Sequence, residues 1–205
     1  MPPGHRLFAA TYDFLTGPGE QRLLGPVRAE VVRPAIGRVL EVGVGTGANF
    51  PYYQPGVVSE LFATDPDPFM LKRAERKAGK LALPINFRLS PAEDLPFPSE
   101  AFDTVVVTLV LCSVEDPARA LAEIRRVLRP GGILRFIEHV RAEDGFTARF
   151  QDVLTPAWRQ MVGGCRLNRQ THRDIEAAGF TIEKFREHRL RGTPLHKLIV
   201  GVARS

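Results

Sequence analysis

Short apolar runs alternate with amphipathic stretches along most of the 205-residue chain. Residues 39–42, 61–64, 85–89, 102–110 and 132–140 are β-rich runs, and each predicts a strand. Within the fourth run, Val105, Val106 and Val107 form a continuous β-branched segment. Such a segment is typical of a central parallel strand covered on both faces.

Helical patterns lie between these predicted strands. Residues 66–80 place Met70, Ala74 and Ala78 on one face, with basic residues opposite. The next helix is predicted to begin at Asp116 as N-cap and to stop at 130–132, the Pro-Gly-Gly turn. Strands that alternate with helices predict a parallel sheet with right-handed crossovers.

The last part of the chain has a different pattern. Residues 180–188 and 198–202 predict two strands with no helix between them, and the turn at 191–194 suits antiparallel pairing. The predicted fold class is therefore α/β, a Rossmann-like doubly wound seven-stranded sheet, mostly parallel with an antiparallel last strand. The length fits a single domain, 1–205. The long segment 141–170 is predicted to be a lid insertion.

Composition and charge narrow the function classes. Hydrophobic residues make up 44% of the chain and charged residues 25%, as in an ordinary globular protein. The net charge of +5 is spread over several segments. A nucleic-acid binder would gather it into a stripe, so a solvated surface is the preferred interpretation. We expect a small-molecule partner, no nucleic acid, and a monomer or homodimer.

The two cysteines and the apolar runs bear on metal sites and location. Cys112 and Cys165 are far apart and form no CxxC or Cys/His sequence cluster, which argues against a zinc site and against a disulfide framework. We therefore expect no metal. The start of the chain carries no apolar signal-peptide core, and the longest apolar stretch, 105–114, is too short to span a bilayer. The expected location is cytoplasmic, with no stable membrane anchor.

The most informative segment is the glycine-rich turn at 41–49, which directly follows a predicted strand. Glycines let the backbone turn sharply and approach a ligand closely. Asp65 stands twenty residues beyond Gly45, at the end of the second predicted strand. A carboxylate there can accept hydrogen bonds from both hydroxyls of a ribose.

Two nucleotide ligands fit this turn. The spacing Gly43-x-Gly45-x-x-Ala48 also satisfies the NAD variant of the dinucleotide fingerprint, so an NAD-dependent oxidoreductase stays open as an alternative. S-adenosylmethionine (SAM) is favoured because Glu41 precedes the turn, where a carboxylate can face a cationic ligand. Pro51 and Pro55 interrupt the long helix that a dinucleotide fold would need, and the closing antiparallel hairpin is foreign to that fold.

The chain resembles the class I SAM-dependent methyltransferases, including the ubiquinone-biosynthesis type. The resemblance rests on 41–47 (EVGVGTG), Asp65, 92–97 (AEDLPF) with 102–103, and 128–132 (LRPGG). It implies SAM as methyl donor, S-adenosylhomocysteine (SAH) as product, and an N-terminal helical cap at 1–37. Pro91 departs from the pattern, because an adenine-binding Asp often precedes the alanine. The predicted cofactor-binding residues are Glu41, Gly43, Gly45, Gly47, Asn49, Asp65, Pro66, Ala92, Glu93, Thr108 and Leu109.

A narrower resemblance is to the methyltransferase-like 7 group, carried by 46–50, 108–114, 138–140, 152–158 and 164–169. Its animal members are described as thiol S-methyltransferases with an N-terminal membrane anchor, which this chain is expected to lack. The resemblance implies transfer of a methyl group to a thiol or sulfide. Two alternatives stay open. One is an N-, O- or C-methyltransferase for a lipid, quinone or other apolar metabolite, and the other is a SAM-binding protein without turnover.

Candidate substrate-side residues lie near the ends of the fourth and fifth strands and in the lid. His139 is the candidate base, or else a strand-end histidine bonded to backbone. Cys112 and Cys165 are candidate substrate contacts, or else small buried thiols. Phe150 and Trp158 are candidate pocket walls, or else core residues. Tyr12, in the predicted cap, is a candidate catalytic residue.

Overall fold

The computed structural model describes residues 22–79, 81, 83–161, 163–189 and 197–205. Tyr12 and the predicted 191–194 turn lie outside these residues, as does most of the predicted cap. The helices are α1 (22–32), α2 (Pro68–Ala78), α3 (Pro117–Val127), α4 (Gly145–Met161) and α5 (Thr171–Ala177). The strands are β1 (Gly37–Val42), β2 (Val58–Asp65), β3 (Ile85–Leu89), β4 (Phe102–Thr108), β5 (Leu128–His139), β6 (Thr181–Arg189) and β7 (Lys197–Arg204).

The seven strands form one sheet in the order β3-β2-β1-β4-β5-β7-β6. β1 to β5 pair in parallel, and β7 runs antiparallel to both β5 and β6. The predicted fold class is therefore confirmed. The strand order reverses between β1 and β4, and ligands of doubly wound sheets bind beyond the carboxyl ends of the strands at such a reversal.

The β4 side chains show how the sheet is covered on both faces. Val105 and Val107 pack in a core with Leu121 and Ile124 of α3. Val106 points to the opposite face, where it packs in a second core with residues of α2. All three valines are fully buried, as the continuous apolar run predicts.

Several observed boundaries differ from the predicted ones, and two of the strand differences have clear physical reasons. The fifth strand begins at Leu128 and not at 132, because Leu128 leaves the helix with an extended backbone and pairs with Phe102. The fourth strand ends at Thr108 and not at 110, because Leu109 has a φ of 61°. This left-handed conformation cannot continue a strand.

The starts of α2 and α3 follow local capping. Asp116 accepts a hydrogen bond from Arg119 N at 3.0 Å, which confirms its prediction as N-cap. α2 begins at Pro68, two residues later than predicted, because Asp67 accepts from Phe69 N at 2.7 Å. Within the described residues, each helix is too short or too polar to cross a lipid bilayer.

Candidate active site

The glycine-rich turn follows β1 at the reversal of strand order. Gly43, Gly45 and Gly47 all have positive φ values, 67°, 55° and 78°. A Cβ at Gly43 would strike Val110, whereas no described atom lies within 4 Å of a Cβ placed at Gly45. Gly43 is thus required for packing against Val110, which follows β4, and Gly45 leaves open space beside the backbone.

Asp65 ends β2 and faces this turn. Its Oδ2 accepts from Gly45 N at 2.8 Å, and its Oδ1 accepts from Asp67 N at 2.9 Å. Burial raises the pKa of Asp65 to about 6, against the lowering effect of the two backbone hydrogen bonds. The open space at Gly45 and this carboxylate together fit a ribose whose hydroxyls would donate to the aspartate.

Glu41 lies at the centre of a buried polar network. Its carboxylate accepts from Asn49 Nδ2 at 2.9 Å and from the Tyr53 hydroxyl at 2.8 Å. Arg28 donates to Asn49 Oδ1 at 2.9 Å and to Thr108 Oγ1 at 3.0 Å. Burial raises the pKa of Glu41 to about 7. The network holds the end of β1, the glycine-rich turn and the end of β4 in one arrangement.

Arg28 and Tyr53 were not predicted as site residues. The structure also places the Asn49 and Thr108 side chains inside the network, where they contact protein groups. Arg28 comes from α1, and only the tertiary fold brings it to the turn. One sequence signal pointed to such partners, because the carboxylate of Glu41 in a buried strand requires donors.

The segment after β3 contains Ala92 and Glu93, which are predicted to contact the adenine. Ala92 is buried, and Ser90 Oγ donates to Asp94 O at 2.6 Å, which closes a tight turn. Ser90 N also donates to Asp65 O at 3.1 Å, so this turn is tied to the end of β2. The Glu93 side chain accepts from Glu115 N and Asp116 N at the start of α3. Pro66 and Pro91 are exposed.

Cys112, His139 and Cys165 come together beyond the carboxyl ends of β4 and β5. His139 Nδ1 lies 3.6 Å from Cys165 Sγ and 3.9 Å from Cys112 Sγ. The histidine nitrogen and the two sulfurs all lie within 4.8 Å of one another. The expectation that the cysteines belong to no Cys/His cluster was wrong. Sequence spacing detects only clusters built within one segment, and this one joins three.

The cluster lies in an apolar shell just below the surface. Both cysteines are free and buried, and they pack with Leu167, Leu154 and Trp158. The hydrogen bond from Cys112, followed by that with His139, lowers the pKa of Cys165 to about 5. The Cys165 partner and burial raise the pKa of Cys112 well above its usual value.

Glu138 and Arg169 hold the turn that carries Cys112. The fully buried Glu138 carboxylate accepts from the backbone N–H groups of Val110, Leu111 and Cys112, each at 2.9 Å. Arg169 donates to the carbonyl oxygens of Leu111 and Val114. Arg169 was not predicted in the site, whereas a glutamate inside the apolar run of β5 needed buried donors.

The predicted pocket walls lie in different surroundings. Trp158 is half-buried and packs on the cysteine cluster, whereas Phe150 is 50% exposed and is not part of that cluster. Gln151 of α4 accepts from Ala142 N at 2.7 Å and donates to Val140 O, which ties the predicted lid to the end of β5. The substrate roles of Phe150 and Trp158 stay predictions.

Known proteins are similar to this chain in sequence and in fold. Residues 40–136 match the family model of the methyltransferase domain. A phosphatidylethanolamine N-methyltransferase from Cereibacter sphaeroides is 37% identical over 149 residues, which cover 71% of each chain. The human protein called Thiol S-methyltransferase TMT1B is 43% identical over 150 residues, 70% of this chain and 59% of the human one.

A solved SAM-dependent methyltransferase from Mesorhizobium loti has the same fold, with a TM-score of 0.68 and 19% identity. The alignment covers 89% of this chain and 98% of that one. The sheet order and the glycine-aspartate site define a class I methyltransferase. The chain belongs to the SAM-dependent methyltransferase family. It spans about three fifths of the length of the thiol S-methyltransferase relatives that it matches.

Proposed function

We propose that this protein transfers a methyl group from SAM to the sulfur of a small thiol or sulfide. The observation that carries the proposal is the soft, apolar site formed by Cys112, His139 and Cys165 where the ends of β4 and β5 meet. The 43% identity to a thiol S-methyltransferase supports the same acceptor.

The two halves of the site have different tasks in this proposal. The glycine-rich turn and Asp65 bind the nucleoside, with Gly47, Pro66, Ala92, Glu93 and Leu109 beside it and with Glu41, Asn49 and Thr108 holding the turn. SAM supplies a methyl group that is activated by its sulfonium sulfur. After the transfer, that sulfur leaves as a neutral thioether. The protein aligns the acceptor sulfur with that methyl group and excludes water, and such alignment contributes about 7–11 kcal/mol in favourable cases.

A thiol acceptor needs little help in losing its proton. With an ordinary pKa of about 8.5, it is partly ionised at neutral pH. An amine or carbon acceptor would require a positioned base. A buried, apolar site at the ends of β4 and β5 suits the thiol better, because its sulfur is polarisable and weakly hydrated.

The test is product identification by mass spectrometry. The protein is incubated with SAM and, separately, with alkyl thiols, sulfide, phosphatidylethanolamine vesicles and a quinol. We expect thioethers and an equal amount of SAH from the thiols. Turnover on the lipid or quinol without turnover on thiols would contradict the proposal, and SAH binding without any turnover would favour a binding protein.

The remaining predictions form part of the same proposal. We infer a single domain, 1–205, in which the cap at 1–37 and the lid at 141–170 cover the acceptor, with Tyr12 near it. We also infer a cytoplasmic protein that is a monomer or homodimer. Light scattering coupled to size exclusion tests the oligomeric state, and fractionation of the source cells tests the location.

A further inference from the structure

We propose that Cys112, His139 and Cys165 form a three-ligand zinc site whose fourth position takes the sulfur of the thiol substrate. The role of the fourth position rests on the proposed function, whereas zinc binding itself does not. The argument starts from the types and spacing of the three donor atoms.

The spacing of the donor atoms fits tetrahedral zinc. With zinc–sulfur bonds of about 2.3 Å and zinc–nitrogen bonds of about 2.0–2.1 Å, tetrahedral angles give S···N distances of about 3.6 Å. The structure has 3.6 Å from His139 Nδ1 to Cys165 and 3.9 Å to Cys112. The same bond lengths put the two sulfurs about 3.8 Å apart, and all three donor atoms lie within 4.8 Å of one another. Little movement would be needed to bind the ion.

The donor set also matches a known class of zinc chemistry. Two cysteines and one histidine, with an open fourth position, are the ligands of a catalytic zinc ion, whereas structural zinc sites use four protein ligands. Within the described residues, Cys112, His139 and Cys165 form a group whose ligand atoms lie close enough together to hold a metal ion. The group has no fourth member there, so one position on the ion would stay open. His139 is half-buried, so a small molecule can approach the cluster from its side.

The surroundings hold these ligands in place. Glu138 binds three backbone N–H groups of the turn that carries Cys112. Arg166 N donates to Cys112 O at 2.9 Å, which joins the segments of the two cysteines directly. The apolar shell of Leu154, Trp158 and Leu167 keeps bulk water away. In protein metal sites, outer contacts of this kind orient the ligands, and an apolar shell controls the access of solvent.

The chemical step balances with zinc as the added component. The substrate thiol releases its proton to solvent as its sulfur binds the fourth position. That sulfur then attacks the methyl carbon of SAM, forming a C–S bond. The C–S bond to the sulfonium breaks, and its electron pair stays on the departing sulfur, which gives neutral SAH. The thioether product is a weak ligand and leaves the zinc ion.

Zinc content is measured first, without any assay of activity. The full chain is purified with reductant, equilibrated with zinc, desalted and analysed by mass spectrometry of the metal, with thiol titration showing both cysteines reduced. We expect one zinc ion per chain. Cys112→Ser, Cys165→Ser and His139→Ala should lower this to background, while His188→Gln, outside the cluster, should retain it. SAH affinity and melting temperature show that each variant is folded.

Two further measurements separate a metal ligand from a general base. His139→Cys should restore the zinc binding that His139→Ala loses, since a thiolate replaces the imidazole as ligand. If His139 acted only as a base, none of these variants would bind zinc. X-ray absorption at the zinc edge should show two sulfurs at about 2.3 Å, rising to three when an alkyl thiol is added. An unchanged sulfur count with bound thiol would overturn the fourth-position role.

Failure of the zinc proposal can be told from failure of the proposed function. Thiol methylation by protein that holds no zinc, and that gains no rate when zinc is added, would overturn the zinc proposal and leave S-methylation intact. Stoichiometric zinc without thiol methylation would overturn the thiol role alone. Removal of zinc by a chelator that lowers turnover by about tenfold or more, with recovery on adding zinc, is the supporting result.

Discussion

The two halves of the site are built in different ways. The nucleoside half consists of a nine-residue turn, 41–49, and Asp65 at the end of the neighbouring strand. The acceptor half joins Cys112 to His139 and His139 to Cys165 across separations of 27 and 26 residues. The family model ends at residue 136. It covers all of the nucleoside half, but of the three residues in the acceptor half it covers only Cys112. In the proposed function, residues inside the family model hold the methyl donor, whereas two of the three residues that meet the acceptor lie beyond its end.

The largest expected effect comes from removing the ribose-side carboxylate. Asp65→Ala should weaken SAH binding by about two orders of magnitude, because each hydrogen bond to a charged group contributes about 1.5–3 kcal/mol. Calorimetric titration with SAH measures this. Asp103→Ala, at the amino end of the central strand β4 and thus at the opposite end of the strands from Asp65, is the matched control and should leave the affinity unchanged. Unchanged affinity in Asp65→Ala would remove Asp65 from the nucleoside site.

A change in Glu138 tests whether the acceptor half can be damaged alone. Glu138→Gln replaces one acceptor oxygen by a donor, so a buried backbone N–H group loses its partner. We expect about 2 kcal/mol lower stability and about 10- to 100-fold weaker zinc binding, with SAH affinity close to that of the unmodified protein. Thermal melting, zinc competition and calorimetry measure the three. Glu183→Gln, an exposed glutamate paired with Arg204, should change none of them.

The pH dependence of SAH binding tests the nucleoside half of the site. Burial raises the pKa of Asp65 to about 6, so its carboxylate is charged above that pH and becomes protonated as the pH falls through it. Only the charged form accepts from both ribose hydroxyls. SAH affinity should therefore be about tenfold lower at one pH unit below this pKa. Glu41, with a pKa raised to about 7, can add a second step. Asp65→Asn should abolish the lower step, and a profile identical in both proteins would contradict the assignment.

The smallest expected effects distinguish two glycines in one turn. Gly45→Ala puts a methyl group into open space at positive φ, so it should cost about 1–2 kcal/mol of stability and a few-fold in SAH affinity. Gly43→Ala has the same backbone cost, and its Cβ would also clash with Val110. It should therefore lower the melting temperature further. Because Val110 N donates to Glu138, this variant should also weaken zinc binding. Equal melting temperatures for the two variants would argue against this contact.

Much of the fold followed from patterns that are local in sequence. The β-branched run at 105–107 specified a central strand because such residues pack on both faces of a parallel sheet. Asp116 specified the start of α3 because a helix cap depends on residues three apart. The end of β4 was missed, since the left-handed backbone of Leu109 belongs to a non-glycine residue and left no sequence signal.

The sequence by itself indicated the glycine-rich turn of the nucleoside half, because such a turn after a strand needs only the residues beside it. The tertiary structure decided the acceptor half, and it also decided how Arg28 meets the glycine-rich turn. Arg28 reaches Asn49 and Thr108 from α1, Glu138 points into the turn after β4, and Cys165 returns to His139 from the loop after α4. These contacts depend on how strands and helices pack, and pairs separated by 21 to 80 residues have no fixed spacing from which a sequence pattern could be recognised.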